Sequence, residues 1–251
     1  MEKSVKNYLL DRKKDKIVLI LGLTYMALCL ASSIHFIIVG NMRNMALAWM
    51  DMLLFPLILG VEYLLSMQFS KGFIALCLFM GIGGGQLGPC YNFYFLIPVW
   101  DDILHTIAGV LFAWLGYTLS KHFIKGENGE WLHVLVGVLF SLSMAVVWEM
   151  IEYMGASFLG VDMQEDMLIN GFNSFLLTGT HNKSFLVDGI VKTVIYYGDG
   201  QQIVLDGYLD IGLYDTLNDM VVCILGIILF VVGMWLKGSV TKKVKRTKEN
   251  I

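Results

Sequence analysis

Charge is what this chain has least of. Only 16% of its residues are Asp, Glu, Lys or Arg, against 57% hydrophobic, too little polar surface for a water-soluble protein of this length. The charges present crowd the two termini and one long loop. A membrane therefore segregates them, and the net charge of -3 points to no nucleic-acid partner. Cysteine is scarce as well. Cys29, Cys77, Cys90 and Cys223 form no CxxC and no metal-type spacing, and three of them lie in apolar runs, where a free Cys behaves as a small buried hydrophobe. A redox function is thereby disfavoured. There is no internal repeat, no low-complexity tract and no Ser or Cys nucleophile constellation, which disfavours covalent catalysis. The basic start KSVKNYLLDRKKDK precedes an apolar run too long for a signal-peptide core and without a small-x-small cleavage site. Leu28 before Cys29 speaks against a lipoprotein signal, so the first run is read as a retained anchor.

What the chain has is long apolar runs. Six of about 20 residues, enough for a ~30 Å hydrocarbon core, are read at 17–40, 44–66, 72–94, 101–120, 131–155 and 217–236. The expected fold class is all-α: a polytopic transmembrane helical bundle of six spans occupying 17–237, between basic termini at 1–16 and 238–251. The third run is the least regular, because GIGGGQLGP interrupts it near its end. Such a break is tolerated at membrane depth only where protein buries it.

An even number of spans puts both termini on one side, and the positive-inside rule chooses the side. With the termini cytoplasmic, the inside collects six Lys and Arg before the first span, six after the last, and Lys71, Lys121 and Lys125. The outside keeps only Arg43, Lys183 and Lys192. The long acidic connection 156–214 then lies outside. Within it, KTVIYY-GDG-QQIVL reads as two β-prone runs about a Gly-Asp-Gly turn, a small extracytoplasmic hairpin. An isolated hairpin is marginal in water, so this one is expected to pack on its neighbours.

Against this apolar background three polar pairs stand out: Asp101 with His105, Glu149 with Glu152, and Asp215 with Asp219. Each is spaced three or four apart, on one face of a helix. An ionisable group inside a membrane span is a functional-site hypothesis by default. Topology puts all three pairs near the outer boundary. Glu149, for instance, is about 26 Å along its span from a start near Leu132, at 1.5 Å per residue. The same helical stripes carry Gly109 and Ala113, Ala145 and Ala156, and Cys223, Gly226 and Gly233, small residues that let membrane helices approach closely. Spans four, five and six are thus expected to converge around a polar pocket.

Five carboxylates about one imidazole do not all stay ionised without a compensating cation. A bound metal, shared protons, or a partner such as Arg43 would each satisfy them. Histidine with carboxylates suits Zn²⁺, Mn²⁺ or Fe²⁺, whereas Mg²⁺ or Ca²⁺ would use mainly the oxygens. The more ordinary uses are helix capping for Asp101, Asp102 and Asp215 with Thr216, and an interhelical hydrogen-bond network for the deeper His105, Glu149 and Glu152.

Other polar residues weigh less. His35 is more often an interface residue than a ligand, and Asp51 is at a depth that would let it join the pocket. Glu62 is expected to be solvated near the cytoplasmic end. Gln86 is placed for substrate contact, and His122 and His133 flank a loop with no partner evident. Tyr91, Tyr94 and Trp100 fit an interfacial aromatic belt.

The run YNFYFLIPVWDDILHTIAG, then AVVWEMIEY, then LYDTLNDM before a small-residue helix, resembles the YjdF-like family of bacterial inner-membrane proteins. That family shows an aromatic-D-x-x-x-H element, an E-x-x-E element and a D-T-x-x-D-M element in this order. The matching positions are Asp101, His105, Glu149, Glu152, Asp215, Thr216 and Asp219, within a resemblance covering roughly 72–237. The layout is more distantly similar to VanZ-like proteins. The chain departs from the family in its longer stretch before Asp215 and in Asn218, where an aromatic is more usual. The resemblance implies a multi-pass protein of the bacterial inner membrane.

The expected site is an outward-facing pocket in which a divalent metal is held by His105, Glu149, Glu152 and Asp219. Asp101 orients His105 and Asp215 stands at the mouth. The metal would act on a lipid-linked or cell-envelope substrate. Alternatives are a small transporter or proton-coupled carrier, and a non-enzymatic assembly factor with a structural polar network.

Overall fold

The computed structural model describes Tyr8, Arg12 and residues 15–126 and 129–249; most of the basic segment 1–14 lies outside the described residues. The chain divides into two compact units, residues 1–145 with 221–251, and residues 146–220.

In the first unit, α1 (Lys16–Ile38) starts at Asp15, whose carboxylate accepts the Val18 N–H at 3.5 Å. The second predicted span is two helices, α2 (Met42–Met52) and α3 (Leu54–Leu64). Pro56 explains the break: it has no N–H for the Met52 carbonyl and crowds it. Helix α4 (Lys71–Met80), capped by Ser70, widens into a π-helical segment, Gly81–Leu87. The short α5 (Phe93–Leu96) then leads to α6 (Trp100–Phe123). Helices α7 (Glu130–Met154) and α8 (Leu213–Glu249) follow, and the boundary between the units falls within both.

Among the described residues, five helices are long and apolar enough to cross a membrane: Lys16–Ile38, Met42–Leu64, Trp100–Phe123, Glu130–Phe158 and Leu213–Gly238. The third of the six expected spans is not among them. There the apolar helix is the shorter Lys71–Leu87, because glycine and Pro89 end the regular helix before the run of apolar residues does. Large apolar side chains such as Ile20, Leu23, Leu57, Leu64 and Leu229 are exposed along these helices, the reverse of a soluble protein. The core of the unit instead joins Val18, Tyr25 and Cys29 to Phe55, Ile58, Phe73, Ile74, Leu78 and Leu111.

Glycines set how closely the helices pack. A side-chain carbon on Gly109 would overlap the Cys223 carbonyl, and one on Gly226 would overlap the Thr106 carbonyl, so α6 and α8 cross backbone to backbone. Ser141 of α7 donates its hydroxyl to the Gly109 carbonyl at 3.0 Å. Gly137 sits against the Ala113 carbonyl. The expected small-residue approach is present between α6 and α8, although Gly233 meets nothing within 4 Å, and α7 joins it through Gly137 and Ser141.

Glu62 is the clearest departure from expectation. It is 0% exposed, not solvated. Arg12 grips both carboxylate oxygens, with Nε 2.8 Å from Oε2. Tyr8 donates its hydroxyl to the same group, and the Phe69 N–H donates to Oε1 at 2.6 Å. Arg12 also donates to the Phe69 carbonyl at 3.1 Å. A buried carboxylate needs such a partner set, and its cation comes from fifty residues away in sequence.

The second unit carries more strand than one hairpin. The predicted hairpin is present as β4 (Thr193–Tyr197) and β5 (Gln201–Leu205), in register from Tyr197 opposite Gln201 to Thr193 opposite Leu205. Gly198 and Gly200 make its turn at positive φ, 53° and 85°, where only glycine is free of strain. Two further antiparallel pairs accompany it: β1 (Met167–Ile169) with β6 (Tyr208–Asp210), which brackets the other strands in sequence, and β2 (Phe172–Ser174) with β3 (Phe185–Val187), which precedes the hairpin.

Candidate functional site

The second unit brings three of the six predicted site residues together. Glu149 and Glu152 are three apart on α7 and share one face; Asp219 comes from the second turn of α8. Their carboxylate oxygens lie within 4.8 Å of one another, and all three side chains are buried, Asp219 to 1% exposure. Glu152 is held by its own helix: the Trp148 indole N–H donates to Oε1 at 2.8 Å. A neutral donor fixes that oxygen without neutralising the charge. Three carboxylates at this spacing are a suitable oxygen donor set for a divalent cation.

Asp215 is not in this cluster. Its Oδ2 accepts the Glu165 N–H at 3.0 Å, and the neighbouring Thr216 hydroxyl accepts from Gln164 Nε2 at 2.7 Å. Together they tie the start of the long connection to the start of α8. Asp210 adds to the same tether, accepting the Tyr214 N–H at 2.8 Å.

Asp101 and His105 belong to the first unit. They face each other one turn apart on α6, with His105 Nε2 3.6 Å from Asp101 Oδ1. His105 is buried and Asp101 half-buried. The two side chains are thus close enough for an ion pair when the imidazole is protonated.

The lesser candidates find partners. Gln86 is buried and donates Nε2 to Cys29 Sγ at 2.9 Å, so its expected substrate contact is replaced by packing on α1. His133 Nδ1 is 2.8 Å from the Ser120 hydroxyl, and His35 is exposed with its ring against Phe36. Two residues of the aromatic belt also serve the fold: Trp100 Nε1 donates to the Gly83 carbonyl at 3.2 Å, and the Tyr91 hydroxyl is 3.0 Å from that of Ser32. The Trp148–Glu152 contact was not anticipated, although the i, i+4 spacing of an indole donor and a carboxylate makes it readable.

A family model described as a predicted membrane protein, DUF2238, matches residues 17–238. No curated protein and no solved structure matches the chain.

Proposed function

The chain belongs to that DUF2238 family of predicted membrane proteins, and on this premise we propose that it is a multi-pass cell-membrane protein binding a divalent metal through Glu149, Glu152 and Asp219. The observation behind this reading is the approach of three buried carboxylates to within 4.8 Å. Like charges so close repel strongly in a medium of low dielectric, and a divalent cation offsets them. A bound metal would polarise an electrophile or activate water, and the substrate class we propose is a lipid-linked or other cell-envelope molecule. The resemblance to YjdF-like inner-membrane proteins supports a bacterial inner-membrane setting. Six crossings, the third made by Lys71–Leu87 with the residues after it, put both termini in the cytoplasm and the long connection outside, in accord with the distribution of Lys and Arg.

One observation favours a second reading. Glu152 already accepts a hydrogen bond from Trp148, as it would in a purely structural network of a non-enzymatic assembly factor. Metal analysis of purified protein separates the two. Wild type should hold one divalent ion per chain, and Glu149→Gln should lose it. A metal-free wild type of full stability would favour the structural network.

A further inference from the structure

Asp51 lies within the apolar stretch Met42–Leu64, one residue before α2 ends. Its surroundings are all in the first unit. A side-chain carbon on Gly85 would overlap the Asp51 carboxyl group, and one on Gly81, a turn earlier, would overlap the Tyr25 hydroxyl. The glycine run of the π-helical segment is therefore a seat for two polar groups. Tyr25 donates its hydroxyl to the Asp51 main-chain carbonyl at 2.9 Å. Gln86, itself 2% exposed, donates to Cys29 and turns its amide to the Asp51 carboxyl group. The Asp51 Oδ2 atom is buried with no hydrogen-bond partner among the described residues.

The titratable groups facing Asp51 are the Tyr25 hydroxyl and Cys29 thiol of α1 and the Cys90 thiol beyond the π-helical segment. None of them is a cation. Arg43, on the same helix, is eight residues away, about 12 Å along the axis, and is exposed. Asp51 is half-buried with its Oδ2 enclosed, and an ionised carboxylate so placed would hold a partly desolvated charge without a counter-ion, a costly state. A neutral acid that leaves one oxygen unbonded costs less than an unpaired charge. A metal ion is the poorer occupant. It would need several oxygen donors, yet the carboxyl rests directly on the Gly85 backbone, and the neighbouring side chains are a phenol, a thiol and an amide.

We propose that Asp51 is a proton-binding site of the membrane unit, holding its proton as a carboxylic acid in the resting protein. Tyr25, Cys29, Gly85 and Gln86 form its seat. The ligand is a proton and the seat is independent of the Glu149, Glu152 and Asp219 cluster, so metal binding there is neither required nor predicted.

The test is infrared difference spectroscopy of the full chain in lipid vesicles at neutral pH, comparing wild type with Asp51→Asn. The expected result is loss of one carboxylic-acid carbonyl band per chain. Loss of carboxylate bands instead, with the acid region unchanged, would overturn the proposal. Should Asp51→Asn not fold, Asp51→Glu should shift the acid band, and an unshifted band would overturn the proposal equally. Metal content should be unchanged in either variant, which separates this outcome from that of the carboxylate cluster.

Discussion

At the scale of single residues, burial divides the acidic groups into those with a cation and those without. Glu62 has Arg12, Tyr8 and the Phe69 N–H around it. Removing Arg12 leaves a buried charge, so Arg12→Ala should destabilise the protein by about 3–5 kcal/mol. The double variant Arg12→Met with Glu62→Met should recover most of that loss, as read by thermal unfolding in detergent. Additive losses would contradict the pairing. Asp15 is a milder case. Slight desolvation would raise its pKa, but hydrogen bonds from Lys71 and the Val18 N–H outweigh this and hold it below the usual carboxylate range. A carboxyl depressed by folding contributes stability above its unfolded value and loses it as pH falls through the folded one. Wild type should therefore exceed Asp15→Asn in melting temperature at neutral pH, and the gap should close in acid. The sequence made Glu149, Glu152 and Asp219 legible because helical spacing is local. It misled at Glu62, whose partner is fifty positions away and invisible to any local pattern.

At the scale of elements, glycine explains most of the arrangement. Helices α6 and α8 cross where Gly109 and Gly226 leave no room for side chains. Lipid offers no hydrophobic drive for association, so this contact rests on close packing. Gly226→Leu should abolish folding or assembly of the bundle, whereas Gly233→Leu, with nothing within 4 Å, should leave the melting temperature near that of wild type. Equal effects would contradict the crossing. The small-residue stripes were readable in sequence as far as Gly226, and Gly233 shows that a stripe predicts a face without predicting how far the contact runs. The hairpin β4–β5 was legible down to its turn, because alternation and Gly-Asp-Gly are strong local signals. The pairs β1–β6 and β2–β3 are three-residue strands, too short to show alternation. The π-helical segment was legible only as a break in span three. Its role in seating Tyr25 and Asp51 depends on contacts with α1 and α2 that no run of glycines specifies.

At the scale of the whole molecule, composition alone places the chain in a membrane, and five long apolar helices agree with it. Orientation rests on where Lys and Arg fall. Asp199, in the turn between β4 and β5, supplies a test: Asp199→Cys in intact cells should react with a membrane-impermeant maleimide. Reaction only after permeabilisation would reverse the topology. The native cysteines are buried or half-buried, which keeps the background low. The central claim is that the carboxylates of α7 and α8 form a metal site, and elemental analysis of the purified full chain tests it most directly. After exposure to Zn²⁺, Mn²⁺ or Fe²⁺ and removal of free ion, wild type and Asp215→Asn should each retain one divalent metal per chain, and Glu149→Gln and Asp219→Asn should retain none. A wild type without stoichiometric metal, or the same content in all four proteins, would contradict it.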